Sequence, residues 1–297
     1  MVRIKLIVTG DMEKLALHKS LRRFFPDERD GQKVIWDLPR KTQCATSYQL
    51  STLQTDNSNL STAMKQLAQA MLNEALFGKT GKPADLVVVI DDVELGNLEQ
   101  ENVIATHFQN AVRHEFNKYK DKYNTKTIQK YQGILREKCS FHLLKPMVES
   151  YLFGDDNALQ LAGVPNGENP QLVHPTDVEQ FETNDPAWLP TCHRENAKRQ
   201  QSKPWWYHEC HPKHYLEHLT ERGQVFYDET SYGKNALDKL AWRKVPKCLD
   251  DTPFIRSLFE DIADWFGIPN PLGKGKTHPN FYPPKSVNRA NLLLRNM

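Results

Sequence analysis

Three carboxylates, Asp91, Asp92 and Glu94, stand directly behind an unbroken apolar run from Leu86 to Ile90. Carboxylates crowded together repel one another, and a hard cation such as Mg²⁺ or Mn²⁺ relieves the repulsion while accepting oxygen ligands. The chemistry expected of such a centre is metal-assisted attack on a phosphodiester, the ion activating water and neutralising charge on the phosphate oxygens. Two more acids could reach the same place. Glu13 follows the apolar run Ile4 to Val8 and the turn Thr9-Gly10-Asp11, and Glu149 follows the run Ser140 to Leu144. The expected metal ligands are therefore Glu13, Asp91, Asp92 and Glu94, with Glu149 serving a second ion. Glu13, Asp92 and Glu94 are the expected catalytic groups, Glu13 as ligand or general base. The competing reading is that Glu13 complements a helix N-terminus and Asp91-Asp92 caps a helix, each stabilising by only ~0.3–2 kcal/mol.

Two other constellations carry reactive types. Cys192-His193 and Cys210-His211 supply thiol and imidazole ligands suited to Zn²⁺, although their spacing matches no standard finger. Buried single cysteines and neutral histidines at a helix start explain the same residues. Arg194, Lys198, Arg199 and Lys203 lead into Trp205 and Trp206, a mixture of cations and aromatic faces used by single-strand nucleic-acid binders. A solvated linker anchored by its tryptophans is the alternative. The run Gly273-Lys274-Gly275-Lys276-Thr277 lacks the earlier glycine and preceding strand of a phosphate loop.

The elements that must position these groups alternate. Ile4 to Val8, Lys33 to Trp36, Leu86 to Ile90 and Ser140 to Leu144 read as strands, the third without polar alternation, as in a parallel sheet covered on both faces. Between them, Leu17 to Phe25, Leu60 to Leu76 and Ile104 to Tyr119 keep helical spacing. Thr42 to Asn59 is polar and reads as a long surface loop. This order predicts an α/β protein with a doubly wound, mainly parallel sheet flanked by helices. The core is expected over residues 1–165. Residues 166–297 turn rich in Pro and Trp and are expected to form a helical and irregular C-terminal region packing on that core. Helices are predicted at Pro212 to Arg222 and Asn235 to Trp242, and after a Thr252-Pro253 cap.

Bulk composition narrows the partners. Thirty-nine Lys and Arg against 37 Asp and Glu leave a formal charge of +2, so any nucleic-acid site must come from local clustering. Five widely spaced cysteines suit free thiols in a reducing compartment. The opening MVRIKLIVTGD turns charged too soon for a secretory signal, and no apolar run approaches the ~18 residues of a membrane span. A soluble, cytoplasmic protein without membrane attachment is expected.

The segments Val8-Thr9-Gly10-Asp11-Met12-Glu13, Val87 to Glu94 (VVVIDDVE) and Lys145 to Asp156 (KPMVESYLFGDD) together resemble a Toprim-like protein. More narrowly, the chain resembles a Toprim-related family of unassigned function found beside ATPases in bacterial defence loci, related to overcoming-lysogenization-defect-type Toprim nucleases. The late runs HPKHYLEHL and TPFIRSLFEDIADWFG extend the likeness over most of the chain. The resemblance implies a Mg²⁺- or Mn²⁺-dependent nuclease subunit of an anti-phage defence complex. It acts on DNA or RNA in a hetero-oligomer with an ATPase. Toprim domains carry a strand-one glutamate followed by glycine and a later Asp-x-Asp; here Thr9 takes the glutamate's place and the later motif is Asp92-x-Glu94. That departure opens the alternative of a catalytically degenerate scaffold for the same complex.

Overall fold

A computed structural model describes residues 1–50, 60–79, 81–198, 208–273, 275, 282 and 288–297. Its centre is a mostly parallel sheet. Strand β1 (Val2–Val8) pairs in parallel with β3 (Gln32–Trp36) on one side and β5 (Leu86–Asp92) on the other, and β5 pairs in parallel with β6 (Cys139–Leu144). The short β2 (Glu28–Arg29) runs antiparallel to β3, and β4 (Arg40–Lys41) pairs with the end of β1 at Ile7 and Val8. Every residue of β5 and β6 is buried; the apolar run of β5 shows no polar alternation, whereas β6 alternates Cys139, Phe141 and Leu143 with the buried polar Ser140 and His142.

Period-two geometry sends successive side chains to opposite faces. Ile4, Leu6, Val8, Leu86, Val88 and Ile90 join one apolar cluster; Ile7, Val87, Val89, Phe141 and Leu143 join the other. The second face is covered by α2 (Thr62–Leu76), α3 (Glu101–Lys120) and α4 (Thr125–Lys138). Ser61 caps α2 by accepting from Met64 N–H, and Asn124 caps α4 by accepting from Thr127 N–H.

The first face is covered from both ends of the chain. After β1 comes a π-helical turn, Glu13–Leu17, running into α1 (His18–Arg22), where the sequence predicts one regular helix. Helices α5 (Asp156–Leu161), α6 (Leu189–Lys198), α7 (Pro212–Glu221), α8 (Lys234–Lys239) and α9 (Pro253–Phe266) follow. Their apolar residues, from Leu159 to Phe259, share one cluster with Met12, Leu17 and Leu21. Side chains on both sides of residue 165 thus build a single core. After Pro146 the chain makes tight 3₁₀ turns over Val148–Gly154, and these set Glu149 at the sheet's end. Among the described residues no helix is long and apolar enough to cross a membrane.

Candidate functional site

The carboxyl ends of β1 and β5 are adjacent, and the chain leaves them in opposite directions, β3 lying beyond β1 and β6 beyond β5. In open parallel sheets this is where a crevice opens and ligands bind. A cavity of about 410 Å³ lies there. Glu13, Asp92, Glu94 and Glu149 all line it, together with Thr9, Lys41, Cys44, His211, Lys213 and Glu229.

Each acid arrives by its own route. Asp92 ends β5, 9% exposed, and its Oδ1 is buried without a hydrogen-bond partner. Glu13 is delivered by the π-helical turn, and its Oε1 accepts from Gly10 N–H at 3.1 Å. Glu149 opens the 3₁₀ turns after β6. Glu94 sits at φ 64°, a left-handed conformation that costs a non-glycine residue about 1–3 kcal/mol, with its N–H bonded to Pro146 O. That strain is located on the cavity wall.

Asp91 departs from the expected ligand set. Pleating turns it away from Asp92, to the opposite side of β5, where it is 1% exposed and does not reach the cavity. Its Oδ1 accepts from Thr9 Oγ1 at 2.8 Å and from Asp92 N–H, and its Oδ2 accepts from Ala45 N–H at 3.2 Å. Asp91 therefore ties β1, β5 and the segment after β4 together. That segment is no surface loop at this point: Ala45 and Thr46 are buried, and Thr46 Oγ1 donates to Asp92 O at 2.6 Å.

The cavity is electrostatically tense. Burial, helped by the Glu229 carboxylate, pushes Glu13 up to about 7 against backbone hydrogen bonds that favour its charge. Burial takes Glu149 up to about 8, with Lys213 opposing and Glu229 and Glu13 adding. Asp92 is held well above the usual carboxylate range, by burial first and then by Glu13, Glu94 and Glu149. Burial also raises Asp91, to about 6, though the Thr9 hydroxyl works against it. Lys213, from the first turn of α7, bonds Glu229; burial disfavours its charge, yet Glu149 and Glu229 raise it above the ordinary lysine value. Lys41 pairs with Asp11 at the rim.

Cys192, His193, Cys210 and His211 do not converge as a zinc site. Cys192 is buried in the core, His193 is exposed, and His211 lines the acidic cavity, its Nδ1 accepting from His214 N–H. Burial and the neighbouring His214 keep His211 well below its usual pKa, hence neutral. Among the described residues, no group of three or more His, Cys, Asp or Glu is already arranged to hold a metal ion. Arg194 is exposed on α6 beside Glu195. The side chain of Lys198, and Arg199, Lys203, Trp205 and Trp206 altogether, lie outside the described residues.

Sequence reasoning missed Lys213, Glu229, Lys41 and Cys44. The first two come from a region with no strand rhythm to place them, Cys44 from the polar stretch Thr42 to Asn59 that reads as a surface loop, and Lys41 from the short β4 just before it. No protein-family model matches the chain, and no curated protein or solved structure is detectably similar to it.

Proposed function

We propose that this chain is a Toprim-like, doubly wound protein that hydrolyses phosphodiester bonds with the help of a divalent cation. The observation that carries the reading is the buried Asp92 Oδ1, unpartnered and at the wall of a cavity shared with Glu13, Glu94 and Glu149. An orphaned buried carboxylate oxygen is costly unless something satisfies it. The donors are all hard oxygens, which fits Mg²⁺ or Mn²⁺ rather than Zn²⁺. Asp92, Glu13 and Glu94 would hold the ion, with Glu149 facing them. The four line one cavity, and an ion binding there would have to draw their oxygens together. When bound, the ion neutralises phosphate charge and acidifies water.

The chain's own groups supply the rest. Glu13, which burial pushes up to about 7, would serve either as a ligand or, left off the ion, as the base that takes a proton from the attacking water. Lys41 and Lys213 offer cationic groups at the cavity wall for the phosphate. An ATPase partner in a defence complex, and a cytoplasmic setting, belong to the reading through the sequence resemblance.

The test is cleavage of labelled DNA and RNA with Mg²⁺ or Mn²⁺, comparing the protein with Asp92→Asn. Metal-dependent cleavage lost on the order of 100-fold or more in the variant supports hydrolysis. An inert protein whose thermal midpoint is unmoved by Mn²⁺, alone and with a co-purified ATPase, refutes it. A second reading, a scaffold that kept the fold and lost the chemistry, is favoured by Thr9, whose hydroxyl is spent on Asp91. It predicts that Asp92→Asn leaves both complex assembly and biological protection unchanged.

A further inference from the structure

A second depression, of about 810 Å³, lies beside the acidic cavity, with Lys41 in the wall of both. Its floor comes from β1, where Arg3 and Lys5 alternate with Ile4 and take the same face as Ile7. Its walls are the segment Asp37 to Lys41 after β3 and the end of α2, including Phe77 and Gly78. Arg3, Lys5, Lys14, Arg40, Lys41 and Lys79 line it against only Asp37 and Glu74. The acidic cavity has the reverse balance, six carboxylates against Lys41 and Lys213. In a chain carrying a net charge of only +2, such a division is local and abrupt.

Internal pairing takes up three of the six cations, Lys41 through Asp11 at the rim, and leaves three. Arg3 pairs with Asp37 and Arg40 with Glu74, using both acids. Among the described residues, Lys5, Lys14 and Lys79 have no ion pair; Lys5 Nζ donates only to Leu38 O at 2.7 Å. Lys5 is also partly desolvated, which lowers its pKa against the pull of Glu74 and Asp37. A half-buried lysine on a sheet face, where a core side chain would ordinarily stand, is costly unless an anion meets it.

We propose that this groove holds the phosphate backbone of a nucleic-acid strand and leads it over Lys41 into the acidic cavity. The proposal rests on the hydrolytic reading above for what happens at the cavity, and on the groove alone for binding. Phosphates approaching the carboxylates unaided would be repelled; neighbouring phosphates anchored in the groove offset that repulsion and set the strand's position. The contacts are to backbone rather than to base edges, so binding is sequence-tolerant and steeply salt-dependent.

The experiment is fluorescence anisotropy with a fluorescein-labelled single-stranded DNA oligonucleotide in EDTA, across a salt series. It compares the protein with Lys14→Glu/Lys79→Glu and, as a control away from the groove, Lys239→Glu, an exposed cation on α8. Melting curves establish that all three fold. The double variant is expected to bind at least about tenfold more weakly, with a salt slope shallower by about 1.5, since each lost phosphate contact removes about 0.7–0.9. Equal binding by wild type and double variant overturns the proposal, as does an equal loss in Lys239→Glu. Binding to phosphatidylserine vesicles but not to the oligonucleotide overturns it in favour of a membrane surface. Cleavage that ignores the double variant sinks the groove alone. Groove-dependent binding without metal-dependent cleavage sinks the hydrolytic reading and leaves the groove standing.

Discussion

Gly10 lacks a side chain where one would collide with the site: a Cβ there would stand 2.2 Å from Glu13 Oε2. The Glu13 carboxylate occupies that space and takes the Gly10 N–H. Gly10→Ala should therefore push the Glu13 carboxylate out of position while changing stability by only ~1 kcal/mol, because the obstacle is the end of a flexible side chain. If the proposed hydrolysis operates with Glu13 as its base, cleavage should fall on the order of 100-fold, with the melting curve nearly unmoved. A second expectation concerns pH. Glu13 at about 7, Glu149 at about 8 and Asp92, raised further by burial and its neighbours, titrate near 4 in the unfolded chain. Between about pH 4 and 8 the folded form holds more protons, so stability is whole below that window and declines as pH rises through it. Lys213 stays charged throughout. Asp261 has the opposite sign: despite burial, Arg295 and His142 hold it below the usual range, so its contribution is lost only at pH below about 4. Thermal midpoints in EDTA should accordingly be higher at about pH 5.5 than at about pH 8.5, and Mn²⁺ should restore more at the higher value. A midpoint that rises with pH would contradict the placement of these acids.

Among the elements, α9 shows what periodicity reveals and what it conceals. Phe254, Leu258, Ile262 and Trp265 mark its buried face in the sequence, and the helix forms over Pro253–Phe266 as spacing predicts. The predicted Thr252 cap does not form: Thr252 sits at φ 46° and its side chain caps nothing. Glu179 does the work instead, accepting from Phe254 N–H at 2.9 Å and Ile255 N–H at 2.8 Å, and also from Tyr151 Oη. The partner is 75 residues away in the chain, beyond the reach of any local rule. The site divides in the same way. Asp92, Glu94 and Glu13 are legible because they trail strands, whereas the pleat carries Asp91 to the other side of β5, and Lys213 and Glu229 arrive through tertiary packing that spacing does not encode. Glu179→Ala should cost about 2–4 kcal/mol in urea denaturation, from two buried N–H groups left unsatisfied at a helix start. A loss below ~0.5 kcal/mol would show that another group caps α9.

For the whole molecule, the last described stretch matters as much as the first. Strand β6 ends the sheet, and its outer edge is met by the segment Leu293 to Met297 rather than by another strand. Arg295 N–H donates to Cys139 O, and the Asn296 side chain both accepts from Phe141 N–H and donates to Phe141 O. Arg295 also reaches inward to Asp261, which in turn meets His142. Arg295→Ala should cost about 3–5 kcal/mol, the toll of leaving one member of a buried ion pair alone. Adding Asp261→Asn should return part of that loss in chemical denaturation, whereas strictly additive losses would deny the coupling.

The pairing of Phe141 with Asn296 spans 155 residues, and a ribosome delivers residues in order. At roughly 5–20 residues per second, β6 leaves the exit tunnel with its outer edge uncovered for roughly 8–30 seconds before its cover is made. During that interval a nascent chain presents an open strand edge, an arrangement prone to pair with a neighbour's on the same polysome. The sheet that carries the acidic site can therefore be sealed only after the 155 residues that follow Phe141 have been made.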